Sequence, residues 1–242
     1  MDTTCDDFLS GKVRALQPAK GYRAGVDAVL LAASVPAMPG ARVLELGCGV
    51  GVASLCLQAR VPVSITGVEV QDGYADLARR NGLDVVTADL RALPDTVRNT
   101  QYQHVIMNPP YFDRSSGSAS PNAGRDVAMG GCTPLADWLA IAAKRLAPKG
   151  HLSMINRIER LPEALGQMPA VLGSVIVLPV AARTGRPPHL FILQARHSGR
   201  APFRLLPSLI MHEGDTHDGD RESYTPQLRA ILRDGDALPI TN

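Results

Sequence analysis

Val43-Leu44-Glu45-Leu46-Gly47-Cys48-Gly49-Val50-Gly51 is the stretch on which the fold turns. A short apolar strand runs into glycines at alternate positions, and a helix-period segment, Val52–Ala59, follows at once. Glycine permits a sharp turn and lets the backbone approach a ligand with no Cβ in the way. The helix start that follows offers unpaired N–H groups and a partial positive charge to an anion. The spacing is G-x-G-x-G rather than the G-x-G-x-x-G of dinucleotide binders, which argues against a dehydrogenase.

Outward from this turn, apolar runs bounded by turn residues alternate with helix-period segments. The strands expected are Arg42–Leu46, Ser64–Val70, Asp84–Thr87, His104–Met107, Gly150–Ile155, Val175–Pro179 and Leu190–Ala195. Helical patterns lie at Gly25–Val35, Val52–Ala59, Gly73–Asn81, Leu135–Leu146 and Pro162–Met168. This alternation predicts an α/β fold: a Rossmann-like, seven-stranded, mostly parallel sheet that closes in a C-terminal antiparallel hairpin. Thr184–Pro188 (T-G-R-P-P) is the tight break expected inside that hairpin. Asp113–Gly131, rich in Ser, Gly, Asn and Ala, is too long for an ordinary connection. It reads as a lid over a substrate, with Arg125 as a grip on it.

A chain of 242 residues with 45% apolar side chains can bury a sizeable core. The cysteines Cys5, Cys48, Cys56 and Cys132 form no C-x-x-C pair, and no Cys/His cluster has zinc spacing, so no metal site is expected. Reduced thiols, an acidic N-terminus without an apolar signal region and no run long enough for a membrane span point to a cytoplasmic protein. The net charge is only +2, yet residues 138–211 hold ten basic and two acidic side chains. Such a segment attracts an anionic partner such as nucleic acid, and Arg183 and Arg186 are its candidate phosphate contacts. A scatter of solvated arginines reads equally well from charge alone.

Three acidic residues fall at successive strand ends: Glu45 before the glycine turn, Glu69 in Gly67-Val68-Glu69-Val70, and Asp89 in Thr87-Ala88-Asp89-Leu90. Ligands in open α/β sheets sit beyond the carboxyl ends of the strands, where a carboxylate can accept from ribose hydroxyls. After the fourth strand comes Ile106-Met107-Asn108-Pro109-Pro110-Tyr111-Phe112. Consecutive prolines fix φ and remove two backbone donors. The Asn108 side-chain carbonyl and the Pro109 backbone carbonyl are then left as outward acceptors. An amino group on a planar, unsaturated carbon has two hydrogens that meet two acceptors, and Tyr111 can stack on the attached flat group.

E-L-G-C-G-V-G, G-V-E-V, T-A-D-L and N-P-P-Y resemble motifs I to IV of the class I amino-methyltransferases, in order and spacing, over Lys20 to Ala195. Within that group the chain is most similar to the bacterial tRNA(Val) adenine-37 N(6)-methyltransferase family. Lys20-Gly21-Tyr22-Arg23-Ala24-Gly25-Val26-Asp27, Pro188-His189-Leu190-Phe191-Ile192-Leu193 and Tyr224-Thr225-Pro226-Gln227-Leu228 carry this closer likeness.

The resemblance implies S-adenosyl-L-methionine as cofactor and an adenine of structured RNA, tRNA first, as substrate. It implies that Gly47, Gly49 and Gly51, with Glu45 before them, bound the methionine end. Glu69, beside Val70, would hold the ribose, and Asp89 and Leu90 would flank the adenine. Asn108, Pro109, Pro110 and Tyr111 would hold the target amine. Arg23, Gly25 and Asp27 would close the cofactor pocket from the N-terminal side. The organisation expected is an N-terminal extension (1–19), a methyltransferase domain (20–200) and a C-terminal tail with a short helix (201–242).

The rivals are protein-glutamine methylation, whose carboxamide fits the same two acceptors, DNA adenine methylation, and a binding module without catalysis. The short N-terminal region and the lack of a large target-recognition insertion weigh against the first two, and an intact N-P-P-Y against the third. The short N-terminal region, Pro187-Pro188 before His189 and the acidic stretch from Glu213 to Glu222 depart from the family pattern and leave the particular RNA open.

Overall fold

The computed structural model describes residues 1–110, 133–214 and 223–240. The chain opens with an antiparallel hairpin, β1 (Thr3–Phe8) and β2 (Val13–Pro18), that forms a two-stranded sheet of its own. Helix α1 (Val26–Ser34) leads into the main sheet. There β3 (Arg42–Leu46), α2 (Val52–Arg60), β4 (Ser64–Glu69), α3 (Asp72–Arg80) and β5 (Asp84–Thr87) alternate as the apolar runs predict. A short turn, α4 (Asp95–Arg98), precedes β6 (Tyr102–Met107). Then follow α5 (Leu135–Arg145), β7 (Leu146–Arg157), α6 (Leu161–Gly166), β8 (Leu172–Ala181) and β9 (Pro188–His197).

The strand order β8-β9-β7-β6-β3-β4-β5 contains the seven expected strands. β5, β4, β3, β6 and β7 pair in parallel, while β9 pairs antiparallel with both β7 and β8, which makes the expected hairpin. Two further strands, β10 (Arg204–Leu205) and β11 (Leu209–Ile210), add in parallel along the outer side of β8 and bring the sheet to nine.

Side chains alternate across the sheet, so each strand feeds two cores. Val43, Ile65, Val85 and Ile106 face α1, α2 and α3, whereas Leu44, Leu46, Val68 and Met107 face α5. Burial on both faces explains why these strands read as continuous apolar runs. The C-terminal segment packs back on the first face. Helix α7 (Pro226–Arg229) continues into a π-helical turn, Ala230–Asp234, which buries Leu228 and Ile231, and the Leu238 N–H donates to the Ala33 carbonyl at 2.8 Å. Among the described residues no helix is long and apolar enough to cross a membrane.

The chain builds outward from β3 through β4 to β5, then crosses to β6 and β7 on the other side. The reversal lies between β3 and β6. A crevice opens at such a switch point, beyond the carboxyl ends of the strands.

Candidate active site

Strand register brings the motif residues to one edge. Met107, Leu46 and Val68 are partners across β6, β3 and β4, and Val68 pairs with Val86 on β5. The residues that follow, Asn108, Gly47, Glu69 and Thr87, therefore leave the sheet side by side. Neighbouring strands lie about 4.8 Å apart, so the backbones at Asn108 and Glu69 are separated by roughly 10 Å.

The glycine turn is held open by backbone geometry that side chains resist. Gly47 (φ 64°), Gly49 (φ 56°) and Gly51 (φ 88°) are all left-handed. A Cβ at Gly47 would strike the ring of Trp138, which packs beneath the turn from α5. At Gly49 a Cβ would meet nothing within 4 Å, so this part of the turn borders open space. Gly51 is the N-cap of α2.

The acids at the strand ends have three different environments. The Glu45 carboxyl is buried under the turn, where the Ser54 hydroxyl donates to it and the Ser54 N–H supports it. It ties the end of β3 to the first turn of α2. Burial dominates its titration and pushes the pKa up to about 8, which leaves the group mainly neutral at neutral pH. Glu69 accepts from the Gly49 N–H and the Gln71 N–H, each at 2.9 Å, and burial raises its pKa against those bonds. The Val70 N–H also supports it, and since a carboxylate offers about four lone-pair sites, some acceptor capacity remains for a further donor. Asp89 accepts from the Arg91 N–H at 2.8 Å and pairs with the Arg91 guanidinium at 2.7 Å, which lowers its pKa. Beside Glu69 the Val70 side chain is exposed, while Leu90 is buried in the second core.

At the end of β6 the Asn108 amide donates from Nδ2 to Asp27 Oδ2 at 2.8 Å and to the Tyr22 hydroxyl at 3.4 Å. Its Oδ1 is buried and has no hydrogen-bond partner among the described residues. The Pro109 carbonyl, expected to be free, accepts from Asn156 Nδ2 at 3.0 Å, and the Pro110 carbonyl from the Arg160 guanidinium at 2.8 Å. Asn156 is fully buried at the end of β7, and Arg160 pairs with Glu163 in α6. A carbonyl has two lone pairs, so Pro109 keeps one for a ligand. Tyr111, Phe112, the stretch Asp113–Gly131 with Arg125, and Cys132 lie outside the described residues.

The segment from Lys20 to Asp27 reaches this edge from the N-terminal side. The Tyr22 N–H donates to the Tyr74 hydroxyl at 3.0 Å, and that hydroxyl donates back to the Tyr22 carbonyl at 3.2 Å, which anchors the segment to α3. Asp27 accepts at Oδ1 from the Gly25 N–H (3.2 Å) and the Ala28 N–H (3.0 Å). Asp27 thus joins Asn108 in the structure, although the sequence groups it with the cofactor. Arg23 goes elsewhere: its guanidinium pairs with Asp6 and donates to the Thr4 hydroxyl at 2.8 Å, both on β1. Arg183 is also engaged. It is buried and donates to the carbonyls of Glu213 and Gly214, so it holds the C-terminal segment rather than a phosphate. Arg186 stands exposed in the hairpin turn.

Tyr22, Tyr74, Trp138, Asn156 and Arg160 were not singled out by motif reading. Asn156-Arg157, a polar pair ending an apolar strand, is the one local signal that could have pointed to the second carbonyl support.

Residues 24–179 match the family model of the methyltransferase small domain. The tRNA1(Val) (adenine(37)-N6)-methyltransferase of Dickeya chrysanthemi is 30% identical over 228 residues, covering 88% of this chain and 87% of the relative. The protein of the same name from Shewanella halifaxensis is 29% identical over 196 residues, covering 75% and 77%. Among solved structures, a predicted O-methyltransferase of Agrobacterium tumefaciens superposes with a TM-score of 0.71 at 24% identity, covering 89% of this chain and 99% of that one. The T. thermophilus 16S rRNA N2 G1207 methyltransferase, solved with AdoMet and guanosine, gives 0.55 at 21% identity, covering 83% and 46%. These two likenesses concern the fold.

Proposed function

From the premise that the chain belongs to the methyltransferase small domain family and to the tRNA1(Val) (adenine(37)-N6)-methyltransferases within it, we propose that its acceptor is the exocyclic amine of an adenine in structured RNA, with tRNA the first candidate. The chain is an S-adenosyl-L-methionine-dependent N-methyltransferase. Its own residues fit that cofactor. The turn carries three left-handed glycines and borders open space at Gly49, Glu69 keeps acceptor capacity for ribose hydroxyls, and the exposed Val70 offers an apolar neighbour for the adenine ring. S-adenosyl-L-methionine, when bound, supplies a methyl group already activated on a positively charged sulfur.

The observation that carries the acceptor is the buried, unpartnered Asn108 Oδ1. Buried acceptors are nearly always satisfied, and one without a partner among the described residues calls for a donor from outside them. An aromatic amine has two N–H groups and a lone pair delocalised into its ring. Asn108 Oδ1 would accept from one N–H and the free lone pair of the Pro109 carbonyl from the other. This raises electron density on nitrogen and orients it, and both contacts strengthen as positive charge develops there. No side chain needs to act as a strong base, because the proton leaves after the nitrogen has become cationic. A tRNA substrate fits a cytoplasmic site of action.

The test is transfer of labelled methyl from S-adenosyl-L-methionine to total tRNA, rRNA, DNA and protein presented separately, followed by hydrolysis and identification of the labelled unit. Label in N6-methyladenosine from tRNA is expected. Label confined to glutamine or to DNA would overturn the reading.

A further inference from the structure

We infer that Asp27 is a positioning residue for the acceptor amine. By holding the Asn108 amide in one of its two orientations, it turns an acceptor, rather than a donor, toward the substrate. The inference rests on the proposed role of Asn108 and extends it to a residue 81 positions away.

An asparagine amide has nearly the same shape with its oxygen and nitrogen exchanged, so packing alone does not choose between the two orientations. Chemistry chooses here. Asp27 Oδ1 is committed to the Gly25 and Ala28 N–H groups at the start of α1, which fixes the carboxylate and leaves Oδ2 directed at Asn108. A carboxylate only accepts, so the group 2.8 Å from it must be the NH₂. The second amide hydrogen is directed at the Tyr22 hydroxyl. With both donors engaged on the N-terminal side, Oδ1 is the atom left over, and it is the buried atom without a partner. In the reversed orientation the Asn108 NH₂ would face the one substrate N–H that Oδ1 is to accept, and its oxygen would face the Asp27 carboxylate, so both contacts would be repulsive.

Asp27→Asn is close to isosteric and separates this role from helix capping. Its oxygen can still accept from Gly25 and Ala28, but its NH₂ then faces Asn108, which must reverse to present its oxygen. Single-turnover methyl transfer should fall by about 10–100-fold, the scale of one misplaced polar contact to developing charge. S-adenosyl-L-methionine affinity should stay within about twofold. Exchanging the pair, Asp27→Asn with Asn108→Asp, restores the pattern: the amide at position 27 donates to one oxygen at position 108 and leaves the other to accept from the substrate. The exchanged protein should recover at least about tenfold over Asp27→Asn. Asn108→Asp alone, which sets two carboxylates against each other, should remain poor. Wild-type rates in Asp27→Asn, or an exchanged pair no better than Asp27→Asn, would overturn the inference.

The side-chain amide resonance of Asn108, identified by its loss in Asn108→Asp, gives a readout that needs no RNA. Its proton exchange should be slow in the wild type and faster in Asp27→Ala, and equal exchange in the two would also overturn the inference. Failure of the wild type to methylate tRNA would count against the proposed substrate, and this resonance would then decide the positioning role by itself.

Discussion

At the ends of β3, β4 and β5 each acidic side chain already has partners within the chain, whereas at the end of β6 the Asn108 Oδ1 has none among the described residues. In the proposed reading this difference separates a cofactor cradle from a reacting centre. Glu45 is bound to Ser54, Asp89 to Arg91, and Glu69 spans Gly49 and Gln71, so the half proposed for the cofactor is held by its own hydrogen bonds. A polar network tied together in this way favours one geometry, while Glu69 keeps acceptor capacity for a ligand. Across β3 and β6, about one strand spacing away, a buried acceptor is instead left without a partner among the described residues. Such an atom costs stability in the free protein, and the cost is recovered only when a donor arrives.

The sharpest way to break the cradle is at Gly47. Alanine there requires both a left-handed φ and a Cβ inside the Trp138 ring, so it should destabilise the protein by about 2–4 kcal/mol. Gly49→Ala meets only the backbone term and should cost about 1–2 kcal/mol. Denaturant midpoints of the two variants measure the gap, and equal losses would mean that Trp138 yields. Glu69→Ala should then weaken S-adenosyl-L-methionine binding by about 1–3 kcal/mol, because hydrogen bonds to a charged acceptor are lost. Calorimetry on the folded variant reads this directly.

Glu45 sharpens the comparison through pH. Its folded pKa of about 8 lies above the ordinary carboxylate value of 4.5, so the native state binds the extra proton between these two values. The stability it contributes is therefore fully present below about pH 4.5 and is lost as pH rises to about 8. Glu45→Gln should remove on the order of 1 kcal/mol per pH unit of slope across that window. Parallel stability–pH curves for the two proteins would contradict the burial of this carboxyl. The smallest effect expected lies outside the crevice. tRNA affinity should fall as salt rises, and Arg186→Ala should lower the slope of log affinity against log salt by about one. Arg183→Ala should leave that slope unchanged and lower stability instead, since it releases the Glu213 and Gly214 carbonyls.

Much of this was legible in the sequence where one short segment carries its own signal. The parallel strands announce themselves because burial on both faces makes them continuously apolar, and the glycine turn because its backbone demands it. The β1–β2 hairpin was not read as strands, since Thr3–Phe8 is a mostly polar ribbon of TTCDDF, and β10 and β11 have only two residues each. Motif reading reached Asn108 but not what holds it: no spacing rule links it to Asp27 or Tyr22, which only the fold brings near. Charge misled for the same reason. Arg183 counts as a free cation in a sequence, yet the structure commits it to the Glu213 and Gly214 carbonyls, while Arg23, expected at the cofactor pocket, pairs with Asp6. The support of Asn156 behind Pro109 likewise depends on β7 lying beside β6.

The central claim is that the sheet edge divides into a half that binds the cofactor and a half that activates the acceptor. Asn108→Ala tests it in one preparation, by calorimetry with S-adenosyl-L-methionine and by single-turnover transfer to tRNA at saturating cofactor. The division predicts cofactor affinity within about twofold of wild type and transfer reduced roughly 10²-fold or more, the loss that follows removal of one preorganised contact to developing charge. Transfer at the wild-type rate, or affinity and transfer falling together, would contradict it.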